Sequence, residues 1–137
     1  MDSKGGLSRK EPKENFGWVR IILIVLICEK IIQHSVVTSA LYFNWSNIRS
    51  TVAVNSTVLM ILGTIAAILF VLSLWGLIKQ QKWTSGLLIA LALFDILGEF
   101  VAQGKIGIMI NVSFLVATLL LILTLIQHRQ ELKPRIQ

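Results

Sequence analysis

Lys30 and His34 stand four residues apart inside one apolar stretch, and Asp95 and Glu99 stand four apart inside another. That spacing sets each pair on one helix face, one turn above the other. An ammonium, an imidazole and two carboxylates in apolar surroundings can neutralise one another as buried pairs, relay protons, or ligate a cation. Glu29 and Gln33 adjoin the first pair, Gln103 follows the second by one further turn, and Asn111 comes soon after.

Counting along the helices fixes the levels. Lys30 follows Trp18 by 12 residues and Asp95 follows Trp83 by 12, which puts both about 18 Å along their axes at 1.5 Å per residue. His34 and Glu99 share a second level about 6 Å further on. Glu29, Lys30, Gln33 and His34 occupy one side of the first helix, and Asp95, Glu99 and Gln103 form a narrower stripe on the third. The spacing therefore predicts Lys30 against Asp95 or Glu29, and His34 against Glu99. A fourth helix running the other way brings Asn111 level with Glu99, with Gln103 near the mouth.

Lys30 is too deep to reach water. Its stem extends about 6 Å against about 15 Å of remaining hydrocarbon. A Lys or Asp at the centre of a spanning helix costs roughly 2.5–3.5 kcal/mol on insertion scales, so a chain that keeps four such groups compensates them by pairing inside a bundle. The favoured reading is a structural polar network that specifies which helices meet and holds the bundle, or an assembly, together. The rival is a proton-linked carrier or channel subunit using the same residues. Four helices are few for alternating access, so that rival requires a homo-oligomer or a larger membrane complex. Metal binding by His34 with Glu99, Asp95 and Glu29 is weaker, since the Glu-x-x-His repeats of carboxylate-bridged bundles are missing. A membrane enzyme acting on lipid or quinone is equally weak: the lone Cys28 lies on another face of the first helix, and no motif names an activity. The sequence assigns no cofactor and no metal.

The elements that must position these residues follow from hydropathy. The 137 residues are 55% hydrophobic, with a mean hydropathy of +0.76. Apolar runs at 18–42, 57–78, 86–102 and 106–126 each approach or exceed the roughly 20 residues that cross a bilayer. They lack the alternation of barrel strands, so helices are the expected form. The fold class is all-α: an integral membrane four-helix bundle over residues 16–128.

Of the 13 Lys and Arg, ten (Lys4, Arg9, Lys10, Lys13, Arg20, Lys79, Lys82, Arg129, Lys133 and Arg135) fall on one side of such a bundle. Only Arg49 and Lys105 fall on the other. The positive-inside rule then places both termini in the cytoplasm, for a multi-pass protein of the plasma or inner membrane. Residues 1–15 read as a disordered cytoplasmic arm and 129–137 as a cytoplasmic tail. The net charge of +6 is a topology signal with some attraction for anionic lipid. No folded basic module remains outside the membrane, so nucleic acid is not an expected partner; the lipid bilayer is.

Short links predict antiparallel neighbours, the tightest at Gln103-Gly104-Lys105. Gly63 and Ala67 form a small-xxx-small pair that suits close helix approach. The triplets Asn44-Trp45-Ser46 and Asn55-Ser56-Thr57 match a glycosylation acceptor, but both hug the membrane and such triplets are common by chance. Cys28 reads as an inert buried thiol.

Overall fold

A computed structural model describes residues 15–103 and 112–132, and these are all-helical. Four long helices, α1 (Asn15–Phe43), α2 (Ser56–Ile78), α3 (Trp83–Gln103) and α4 (Val112–Leu132), are joined by a 3₁₀ segment at Trp45–Ser50 between the first two. Each long helix carries a stretch long and apolar enough to cross a membrane. The helices outrun the apolar runs that mark them, because apolarity defines a span whereas propensity defines a helix. Residues 129–132, expected in the tail, belong to α4. Gln, Arg and Glu are good helix formers there, and the Gln127 amide donates to Glu131 Oε1 one turn on, at 3.0 Å. The expected arm, apart from Asn15, the expected start of the fourth helix at 106–111, and residues 133–137 lie outside the described residues.

The helices pack in a ring, each against its neighbour in sequence and α4 back against α1, which leaves α1 and α3 on a diagonal. Leu23, Leu26 and Ile27 of α1, Phe70 and Leu77 of α2, Leu88, Leu91 and Ala92 of α3, and Leu120 of α4 form the core. All lie toward the end of the bundle where α1 begins and α4 ends, and below them a cavity of about 680 Å³ opens among the helix ends, lined by Arg20, Leu77, Gln81, Thr84, Gln127 and Glu131. The outer faces are also apolar, with Ile21, Val25, Ile32, Ile61 and Leu97 exposed. That suits a lipid surround, where close packing joins helices and aversion to water does not.

Two glycines set the α1–α2 and α2–α3 distances. A Cβ at Gly63 would sit 2.6 Å from Thr38 Oγ1, and one at Gly76 would collide with Thr84 Oγ1 and the Trp83 ring. Buried Ser85 of α3 donates to Glu131 Oε2 of α4 at 3.0 Å, and the buried Thr84 hydroxyl has no partner among the described residues. Three other hydroxyls are satisfied within their own helices. Ser73, Thr118 and Thr124 donate to the carbonyls of Leu69, Phe114 and Leu120, each four residues back.

The helix ends are capped by residues that the apolar pattern ignores. Asn55 opens α2 by accepting from the Thr57 amide at 2.8 Å. Arg49 closes α1, donating from Nε to the Leu41 carbonyl at 2.7 Å and from Nη2 to the Tyr42 carbonyl at 2.8 Å. Arg20 does the same for α2, donating to the Ile78 carbonyl at 2.7 Å. Cations belong at these negative helix ends. The side-chain oxygen of Asn44 accepts from the Arg49 amide at 3.2 Å, so both triplet asparagines are used by the fold.

Beyond α2, Gln80 has φ 55°, and the Gln81 amide donates back to the Gly76 carbonyl at 2.9 Å. This is a left-handed helix stop at a residue with a Cβ. Gln80→Gly is expected to raise stability by up to about 1 kcal/mol by relieving that conformation. Thermal unfolding in lipid nanodiscs checks it, and a lowered midpoint would show that the Gln80 side chain contributes more than the strain it imposes.

Candidate functional site: a buried charge network below an apolar cleft

Above this core, Lys30 extends from α1 across the diagonal. Its side chain is 0% exposed, and its Nζ lies 3.1 Å from Oδ2 of Asp95 on α3. The same ammonium donates to Gln33 Oε1 at 2.9 Å, to the Ser113 carbonyl at 3.0 Å and to Ser113 Oγ at 3.1 Å. The three N–H donors thus meet acceptors from α1 and α4, with the α3 carboxylate at ionic distance. The Asp95 Oδ2 contact is ionic in geometry and not an aligned hydrogen bond. The other carboxylate oxygen, Oδ1, lies 3.0 Å from His34 Nε2, which donates to it. The far face of the His34 ring stacks on Phe70 of α2, with centroids 5.6 Å apart and planes 25° from parallel. All four helices therefore meet at this one level.

The level counting holds for Lys30 and Asp95. It does not hold for His34, whose Nε2 bonds to Asp95 where Glu99 was expected. Residue counts set heights along two helices and leave their tilt and rotation free, and here α3 presents Asp95 to both side chains of α1. Glu29 is not drawn in: it is half-buried, and its Oε2 has no hydrogen-bond partner among the described residues. Gln33 joins through Lys30. Glu99 stands one turn beyond Asp95 in the wall of a cleft described below. Asn111, and the side chain of Gln103, lie outside the described residues.

Two participants were not anticipated. Ser113 supplies α4's share of the site, and its only signal was being a polar residue close to Asn111 in an apolar run. Phe70 carries no signal at all, since any apolar residue of α2 at that height was an equal candidate.

Among the described residues, no three His, Cys, Asp or Glu side chains converge as a metal-binding set. Asp95 is engaged by a cation and an imidazole at once, which leaves it poorly placed to ligate a metal. Cys28 is free and half-buried.

Beyond the network the helices part. A cavity of about 500 Å³ opens between the far halves of α1, α2 and α3, with Ile48, Val52 and Val54 of the connecting segment along one side. His34 and Asp95 form its floor, and Val37, Leu59, Leu62 and Phe94 are among its apolar walls. The Ala53 amide donates to the Ala102 carbonyl at 3.1 Å, strapping the connecting segment to the end of α3. No protein-family model, curated protein or solved structure matches the chain.

Proposed function

We propose that the chain is a non-enzymatic, multi-pass protein of the plasma or inner membrane, with both termini cytoplasmic, whose buried charge pair locks the bundle. One observation carries this reading: the Lys30 ammonium is sealed from solvent, its N–H groups are taken up by residues of α1 and α4, and Asp95 of α3 neutralises it at 3.1 Å. A charge so fully engaged suits a fixed clamp better than a moving carrier of protons. The excess of basic residues at the termini and at the α2–α3 turn supports the orientation.

A second reading, a proton-linked carrier or channel subunit in a homo-oligomer or larger complex, draws support from the cleft. His34 is 18% exposed at its side chain, and the cleft reaches both it and Glu99.

The test is a thermodynamic cycle in nanodiscs with Lys30→Met, Asp95→Leu and the double variant. A clamp requires strong destabilisation by each single change and recovery in the double. Neutral single changes, together with proton flux in proteoliposomes that the double variant abolishes, would replace the clamp by the carrier.

A further inference from the structure

The cleft has an unusual make-up for a packing defect. Its walls are apolar, yet its floor holds hydrogen-bonding groups whose charges already cancel. Lys30 and Asp95 neutralise each other, and Lys30 is 0% exposed, so neither offers the cleft a net charge. His34 Nε2 is committed to Asp95, which turns the other ring nitrogen into an acceptor when the ring is neutral. Gln33 gives its oxygen to Lys30 and keeps two amide N–H donors. The Thr38 hydroxyl, also on the cleft, can donate or accept. A floor of this kind suits a neutral head that both donates and accepts, which is the chemistry of a hydroxyl.

The walls state what the head is attached to. Val58 and Leu62 of α2 and Leu97 and Val101 of α3 line the cleft and are also exposed on the outside of the bundle, so the cleft has an opening on the side of α2 and α3. In a bilayer, that opening faces hydrocarbon. A volume of about 500 Å³ lies inside the range of roughly 300–1,000 Å³ typical of small-molecule sites. It has room for a single chain with a small head and is too small for a two-chain phospholipid. Among the described residues, no Lys or Arg lines the cleft, so a fatty-acid carboxylate finds no cation there. We propose that the cleft binds a neutral, hydroxyl-headed, single-chain amphiphile that enters sideways from the membrane, with its head on Gln33, His34 and Thr38. This rests on the membrane reading above and is independent of whether the charge pair is a clamp.

Gly98 supplies the test. It lines the cleft, and a Cβ built there meets nothing within 4 Å. Gly98→Leu therefore fills the space without a clash, and it replaces a helical glycine by a better helix former. The probe is a diazirine-bearing analogue of hexadecanol, cross-linked by light to the full chain in nanodiscs, with labelled peptides located by mass spectrometry. Labelling is expected at α2 58–63 and α3 94–102, with competition by hexadecanol and not by equal amounts of hexadecane, palmitic acid or hexadecylamine. Gly98→Leu is expected to reduce labelling by roughly tenfold or more with its thermal midpoint at or above that of the parent. His34→Phe, which keeps the stack on Phe70, is expected to erase the preference for alcohol over alkane. Labelling spread over all outward faces, undiminished by Gly98→Leu, overturns the site. Equal competition by hexadecane, or better competition by the acid or the amine, overturns the hydroxyl head. A chain that does not enter nanodiscs overturns the membrane reading as well, whereas one that enters and fails to label overturns this proposal alone.

Discussion

Asp95→Leu is expected to destabilise the bundle by about 3 kcal/mol, most of it from the cation left behind. The variant removes the one charge that faces Lys30 at 3.1 Å and leaves an ammonium 0% exposed, with only Gln33 and Ser113 to solvate it. Lys30 cannot escape to water from that depth, so the chain must carry an unpaired charge or open a path to it. Lys30→Met is expected to cost less. The carboxylate it orphans keeps the His34 N–H at 3.0 Å and borders the cleft. In the double variant both charges are gone and two apolar side chains meet, so most of the loss should return. Denaturation of the three variants in nanodiscs measures the coupling. A double variant no better than Asp95→Leu would mean that the pair is not the interaction that matters there.

Phe70→Ala is the second large expectation, at about 2–3 kcal/mol. Phe70 is 0% exposed, sits among the core side chains and supports the His34 ring at 5.6 Å. In a soluble protein the cost would include the transfer of a phenyl group from water. In lipid that part largely vanishes, because a released side chain meets hydrocarbon in either state. What remains is the unfilled space, at about 24 cal/mol per Å³ for roughly 100 Å³ of missing ring. Loss of the stack should also free the His34 ring, which is readable as a change in its NMR line width. An unchanged midpoint would show that the neighbours collapse into the gap.

The four spans, and the meeting of Lys30 with Asp95, were legible because each depends on a one-dimensional quantity: hydropathy along the chain, and height counted from a tryptophan. What depends on rotation was not legible. His34 turned to Asp95 instead of Glu99, and Ser113 of α4 met Lys30 without having been anticipated. Both outcomes are set by helix tilt, which residue spacing does not encode. The cleft was invisible for the same reason. Nothing in the composition of 58–63 or 97–102 distinguishes helices that touch from helices that part, and Gly98 with empty space before it reads the same as Gly63 pressed against Thr38. Helix ends were misjudged by a few residues wherever polar helix formers such as Gln127 and Glu131 carried α4 beyond its apolar run.

The charge network bridges segments that are made at different times. Asp95 and Ser113 follow Lys30 by 65 and 83 residues, and at 5–20 residues per second the first of these gaps lasts roughly 3–13 s. During synthesis, then, the α1–α2 hairpin is complete while the Asp95 carboxylate that Lys30 pairs with is not yet made. Until α3 emerges, α1 holds its ammonium without that carboxylate. The order in which these groups are made is thus the reverse of a local pairing: the lysine comes first, the carboxylate only after α2, and the α4 oxygens that hold it only after α2 and α3.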